Sequence, residues 1–378
     1  MKIGFYSQSF MTVGKYWQIL KDKADCWWGV PDKSLRDLLN KKNIKNVFFF
    51  EEKYKKNFDI NNGNMFKSID PVEAQKKIEE NINPDLWIVD SPNKLNFISN
   101  GALRVQTFHS VPIKKYAFYE PVLNYDLILL PGQYHKDQFI KRFNLDENDE
   151  RLKIVGWPRV DDLVNRKYDR KKIMLENGLD PKKKTVMYAP TWGWGHGNSA
   201  LFARDLGDEI KIFEKLCKKI YEKELNFIVR LHSLSFLTDR KEFIDIANKY
   251  KVVWQTTFTS NFRNDPNEFL WITDILISDL SGIITEFMVL DRPIIYIEPN
   301  ENPSPWIDSD MPKNFRTGHI VKCIGTLIDS INDSIINPEK FSKNRKELLK
   351  KIFFNLDGKS SHRACEAILN FAKKNGLK

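Results

Sequence analysis

The sequence predicts an α/β protein with two doubly wound parallel sheets, and three observations carry that expectation. Short apolar runs alternate with helix-like segments along most of the chain, the runs fall into two series parted by a charged connector, and several runs end in polar residues that a buried core does not require. At 378 residues the chain is long enough for two units of about 150–200 residues, each burying its own core.

The first series of runs is 3–6, 47–50, 86–89, 103–108 and 127–130. Runs this short and this apolar suit strands covered on both faces, and the helix-like stretches between them suit the crossovers that parallel strands require. A charged connector at 165–184 follows, carrying Gly178 and Pro181. The second series is 185–189, 227–231, 252–254, 275–278 and 294–297. This divides the chain into an N-terminal Rossmann-like unit over 1–165 and a C-terminal Rossmann-like unit over 166–360. Residues 339–352 read as a basic helix, and a last helix within 361–378 is expected to pack back on the first unit. Two such units facing a central cleft make the glycosyltransferase-B (GT-B) architecture, with ligands at strand carboxyl ends.

Composition narrows the class. Hydrophobic residues make up 42% and charged residues 29%, a balance that excludes disordered, fibrous and membrane-spanning chains. The 60 Lys and Arg against 50 Asp and Glu leave +10, which favours nucleotides, phosphorylated polymers or an anionic leaflet and equally describes a lysine-rich solvated surface. Zinc-finger spacing and an RNA-recognition aromatic signature are both missing, so nucleic acid is not an expected partner. Cys26, Cys217, Cys323 and Cys365 show no CxxC spacing, which points away from zinc and disulfides and towards a reducing compartment. Residues 1–10 read as a strand rather than a signal peptide, and no run approaches a membrane span. A cytoplasmic location is expected, with peripheral attachment to the inner face of the membrane left open. Trp17, Trp27 and Trp28, near basic residues, are either part of such an attachment or core residues.

Four run ends and one turn carry candidate chemistry. His109 closes the run 103–108; an imidazole at a cleft can take a proton from a hydroxyl, although a single histidine there also fits a structural role. Arg159, in Gly156-Trp157-Pro158-Arg159-Val160-Asp161, either holds a phosphate or pairs with Asp161 to fix the interdomain connection. Pro190 and Thr191 open a stretch with three glycines in five residues, Gly193, Gly195 and Gly197, which lets backbone approach a ligand or forms a mobile loop. Arg230 and His232 end the run 227–231 as hydrogen-bond donors for a diphosphate. Ser278-Asp279-Leu280-Ser281-Gly282 leads from a strand into a helix that includes Glu286, where backbone N–H groups suit phosphate. The carboxylates near these motifs stand singly, so no metal is required.

In this order and spacing the segments resemble the CDP-glycerol glycerophosphotransferase family, the wall teichoic acid primases and polymerases and their relatives in capsule synthesis. The resemblance covers roughly 100–365 and rests on Tyr188-Ala189-Pro190-Thr191-Trp192, the Gly156–Asp161 segment, residues 274–281, and Asp357-Gly358-Lys359-Ser360-Ser361. It implies a cytoplasmic, membrane-peripheral GT-B enzyme that moves a polyol phosphate from a CDP-activated donor to a hydroxyl of a lipid-linked saccharide or polyol-phosphate acceptor, releasing CMP, without a further cofactor. The first unit would then be the acceptor side and the second the donor side. By the same resemblance His109 is the base, His232 contacts the donor diphosphate, and Pro190, Thr191, Arg230, Asp279, Ser281, Gly282 and Glu286 bind the donor. Ser110 and Val111 stand where the family usually has glycine and threonine, Leu280 and Gly282 replace its aromatic and second serine, Gly193 replaces its arginine, and Ser233 its proline. Two rivals remain: a GT-B glycosyltransferase using a UDP or GDP sugar, and a non-catalytic nucleotide-binding protein at a membrane surface.

Overall fold

A seven-stranded and a six-stranded sheet organise the chain, and every strand pairing in both is parallel. The computed structural model describes residues 1–7, 10–30, 33–49, 80–90, 101–112, 115–118, 120–190, 209–231, 241–255, 265–279, 281–297 and 317–377. By contact density the chain forms two units, Met1–Asp161 with Lys351–Lys378, and Asp162–Lys350.

In the first unit the strands are β1 (Lys2–Tyr6), β2 (Asp25–Val30), β3 (Val47–Phe49), β4 (Leu86–Val89), β5 (Leu103–Gln106), β6 (Leu127–Leu130) and β7 (Leu152–Ile154), in the spatial order β3-β2-β1-β4-β5-β6-β7. The second unit has β8 (Thr185–Tyr188), β9 (Asn226–Arg230), β10 (Val253–Gln255), β11 (Ile275–Ser278), β12 (Ile294–Ile297) and β13 (His319–Val321), in the order β10-β9-β8-β11-β12-β13. Counted within each unit, both follow the doubly wound order 3-2-1-4-5-6, to which the first sheet adds a seventh strand at the end. The order reverses beside the first strand, so the crevice between strands one and four opens at β1/β4 in one unit and at β8/β11 in the other.

Burial on both faces explains the apolar runs: β4, β6, β8, β9 and β11 are buried along their whole length. The second core joins Val186, Phe227, Val229, Ile277 and Ile295 to Phe213, Leu216 and Phe243 from the covering helices. The first joins Ile3, Phe5, Trp28, Leu86 and Ile88 to Ala364, Cys365, Ile368 and Ala372 of the helix Ser360–Lys374. Trp28 is fully buried and stacks on Phe5, 5.2 Å between centroids, which settles its role as core. No helix among the described residues is long and apolar enough to cross a membrane.

β2, β7 and β13 lie outside the two expected series. Each is short or broken in its apolar pattern, by Asp25 and Gly29, by Lys153 and by His319, so periodicity alone does not mark them.

The motifs Gly156–Asp161 and Asp357–Ser361 meet inside the first unit. Asp161, buried, accepts from Ser360 N at 3.1 Å, Ser361 N at 2.7 Å and Ser361 Oγ at 2.6 Å, so its carboxylate closes the open N–H groups that start the helix Ser360–Lys374. Gly156 has φ +89°, and a Cβ there would collide with Ser360 Oγ, so this position demands glycine twice over. Arg363 completes the knot by donating to the Val155 carbonyl at 3.0 Å and to Asp357 at 2.8 Å. The expected pairing of Arg159 with Asp161 is therefore corrected: the helix start takes both oxygens of that carboxylate.

Candidate functional site

The carboxyl edge of the first sheet gathers Ser7 after β1, Asp90 after β4 and His109 after β5. Ser7 and Asp90, both buried, are joined by a 2.5 Å hydrogen bond from the serine hydroxyl across the switch point. The Asp90 charge is felt by its neighbours: burial first, and Asp90 second, push the Tyr125 phenol well above its ordinary range. Tyr16 is raised too, again by burial, with Cys365, Asp161 and Asp90 adding to it.

His109 is aimed by a backbone feature that sequence periodicity could not show. The strand stops at Gln106 rather than running to Phe108, because Phe108 adopts φ +58°, which is rare for a bulky residue. Its ring is buried against Phe139, 6.2 Å between centroids, and its N–H donates to Gln106 Oε1 at 2.8 Å. Strain held this firmly next to a polar side chain is a mark of function. The reversal leaves His109 exposed, with Nδ1 3.2 Å from the Asp90 carbonyl oxygen. A carbonyl oxygen only accepts, so in the neutral ring the hydrogen sits on Nδ1 and Nε2 is the basic atom. Arg159, in the turn Pro158–Val160, donates to the His109 carbonyl oxygen. It thus fixes the loop that carries the imidazole.

At the carboxyl edge of the second sheet β8 and β11 are clamped together. The Ser278 hydroxyl donates to the Ala189 carbonyl at 2.6 Å and Ala189 N–H to the Ile277 carbonyl at 2.9 Å, so this serine locks the switch point and turns its hydroxyl inward. Pro190 is buried directly after it. Beyond Ser278 come half-buried Asp279, Ser281 and Gly282 and the six-residue helix Ile283–Met288, whose start has no side-chain cap. Ile284 N–H and Thr285 N–H bond to the Ser281 and Gly282 carbonyls, both at 3.2 Å, so the tight first turn uses these two amides internally and leaves anion contact to those ahead of them. Glu286, buried, places a carboxyl group in that first turn.

Arg230 closes β9 beside β8, nearly buried, with its guanidinium 5.5 Å from the centre of the Phe269 ring. The aromatic face steadies a cation that β-strand geometry holds at the sheet edge. Thr191 and His232 lie outside the described residues. The structure therefore groups His109 and Arg159 with Asp90 and Ser7 in one unit, and Pro190, Arg230, Asp279, Ser281, Gly282 and Glu286 at one sheet edge in the other. Asp90 and Ser7 were missed, although Asp90 follows the apolar run 86–89 just as His109 follows its own. Among the described residues no group of three or more His, Cys, Asp or Glu side chains is gathered to hold a metal ion.

Two parallel-only α/β units with doubly wound strand order define a GT-B type protein with ligand-ready edges at its switch points. The family model described as CDP-Glycerol:Poly(glycerophosphate) glycerophosphotransferase matches residues 32–370, and the chain belongs to this family of enzymes. It is 28% identical over 215 residues to the teichoic acid poly(glycerol phosphate) polymerase of Staphylococcus epidermidis, covering 50% of this chain and 27% of that protein. It is 31% identical over 223 residues to the teichoic acid ribitol-phosphate polymerase TarL of Staphylococcus aureus, covering 55% and 35%. With the Bacillus spizizenii poly(glycerol phosphate) polymerase the figures are 27% over 227 residues, 52% and 51%, so the chain spans between about a quarter and a half of these relatives. Among solved structures, the wall teichoic acid polymerase TagF superposes with TM-score 0.67 at 17% identity over 99% of this chain and 90% of that one. The UDP-GlcNAc 2-epimerase of Neisseria meningitidis gives 0.65 at 14% identity over 98% and 100%; at such identities the likeness is one of fold.

Proposed function

We propose that this protein transfers a polyol phosphate, glycerol phosphate or a related unit, from a CDP-activated donor to a hydroxyl of a lipid-linked cell-surface glycopolymer, releasing CMP. The single observation that supports this most is the family match over 32–370, which takes in every candidate residue of both sheet edges except Ser7. Relatives named as glycerol- and ribitol-phosphate polymerases support the chemical class of the donor, as does a TagF variant soaked with CDPG.

In this reading His109 Nε2 takes the proton of the acceptor hydroxyl while its oxygen attacks the phosphorus that bears the polyol. The new P–O bond forms as the bond to CMP breaks, and CMP departs with the bridging oxygen. Phosphoryl transfer asks the protein mainly for alignment and charge stabilisation. Arg230, His232 and the amides at 279–282 serve the diphosphate, with Pro190 and Thr191 alongside. Glu286 suits a sugar or polyol hydroxyl of the donor. The reading needs no metal and no cofactor beyond the donor, so a chelator should leave turnover unchanged. Work at the cytoplasmic face of the membrane, with the basic surface against anionic lipid, belongs to the same proposal.

The test is to incubate the chain with CDP-glycerol or CDP-ribitol and candidate lipid-linked acceptors and weigh the product. A mass gain of one or more polyol phosphates with equimolar CMP is expected. Binding of nucleotide without CMP release under every acceptor would reject the reaction. Preferential thermal stabilisation by UDP over CMP would reject the donor class.

A further inference from the structure

The amino ends of the second sheet open onto a crevice of about 260 Å³. Lys184, Asp274 and Arg292 line it where the chain enters β8, β11 and β12, and Ser334 and Glu339 line it from the end of the helix Ile324–Ile336. Ile275 and Ser278 mark the two ends of β11, and three steps along a parallel strand cover about 10 Å. This crevice is therefore a separate place from the carboxyl edge of the same sheet.

Its two aspartates are already occupied. Asp274 accepts from Arg170 at 2.6 Å and from Thr185 N–H at 2.7 Å. Asp291, also in the lining, accepts from Arg345 at 2.9 Å, Ser342 at 2.7 Å and Lys346 at 3.0 Å. The cations are not matched in the same way. Among the described residues no carboxylate pairs with Arg292 or with exposed Lys184. One Arg292 nitrogen donates to the Trp271 and Thr273 carbonyls at 2.6 and 2.5 Å, and the guanidinium lies 5.6 Å from the Trp271 ring centre. Burial, and next the charge of Arg170, hold its pKa below the ordinary arginine value. Ser334 Oγ, in a residue only 3% exposed, has no hydrogen-bond partner among the described residues. Behind Asp291, fully buried Arg345 also keeps one guanidinium nitrogen unpartnered.

Arg170 and Arg292 both reach the carboxyl end of the helix Pro266–Ile272, whose partial negative charge attracts cations. That role uses one Arg292 nitrogen and explains neither Lys184 nor the Ser334 hydroxyl. A guanidinium, an ammonium and a buried hydroxyl around a crevice this size are donors in search of an oxyanion.

We propose that this crevice is an accessory phosphate-ester site, in which Arg292 and Lys184 balance the charge and Ser334 donates a hydrogen bond. The ester could be free or a repeat unit of a polyol-phosphate chain. The site stands independently of the transfer reaction proposed above. Calorimetric titration of the full chain with glycerol 3-phosphate and with a short glycerol-phosphate oligomer tests it. Saturable binding is expected, weakened about tenfold or more by Lys184→Glu, which reverses an exposed charge with no carboxylate partner among the described residues. Arg292→Gln should weaken it at least as much, and Ser334→Ala less. Glu339→Gln should tighten it, by removing from the lining a negative charge that no cation pairs with among the described residues. Tighter binding of the oligomer identifies the polymer as source, and equal affinity per phosphate identifies a free ester. Absence of binding, or binding unchanged in Lys184→Glu and Ser334→Ala with both variants folded, overturns the site.

Discussion

The carboxyl edges of the two sheets stand on the same strand order, yet their switch points carry groups of different character. At β1/β4 a buried hydroxyl meets a buried carboxylate, Ser7 with Asp90, and an exposed imidazole leans on the same residue's carbonyl. At β8/β11 the lock is a neutral one, Ser278 with the Ala189 carbonyl, and the acidic and basic residues nearby are mixed, Arg230 with Asp279 and Glu286. Topology chose where the crevices fall, and side chains chose their chemistry: a hydroxyl–carboxylate pair behind an imidazole at one, a neutral hydroxyl–carbonyl lock beside a guanidinium at the other.

The sharpest way to break this contrast is His109→Ala. Loss of a general base should lower turnover by about 10²- to 10⁴-fold while donor binding, measured by calorimetry, stays put. A smaller effect is expected at the other edge, where Arg230→Gln should weaken the donor by roughly tenfold or more, read as a raised KM, and leave the limb of the pH profile set by the base unmoved. Asp161→Ala tests the opposite class of residue, one that serves the fold and neither edge. Three donors at the start of a helix lose their acceptor, so stability should fall by about 2–3 kcal/mol in denaturant unfolding, with turnover per folded molecule retained.

The smallest effect concerns acid. His135, fully buried in the helix Gln133–Phe143 that follows β6, has its pKa pushed down from 6.5 to about 3 by burial, against a smaller opposing effect of the Gly132 backbone. Below 6.5 the unfolded chain binds a proton that the folded chain refuses. Its contribution to stability is therefore complete above about pH 6.5 and drains away as pH falls towards 3. His135→Phe should flatten the loss of stability between pH 7 and pH 5, and an unaltered slope would show that other groups set it.

Much of the second edge was legible because its strands are continuous apolar runs and its polar residues follow them directly. Ser278 is the instructive exception. Its place was readable, but its hydroxyl turns inward to a residue 89 positions earlier, a contact local patterns cannot carry. The first edge was harder for the same reason: Ser7 and Asp90 meet across 83 positions, and Arg159 reaches His109 across 50. Phe108 shows a second kind of blindness, since an apolar residue at a strand end reads as more strand until its φ angle is known.

The first unit is written in two pieces, with the whole of the second unit threaded between Asp161 and Lys351. During synthesis, then, residues 162–350 can reach their native form as a self-contained insert while the earlier sheet still lacks Ala364, Cys365, Ile368 and Ala372. The part of the molecule made first is completed last, and a ribosome that stalls after Lys350 would leave a finished second unit tethered to a first unit with its hydrophobic flank uncovered.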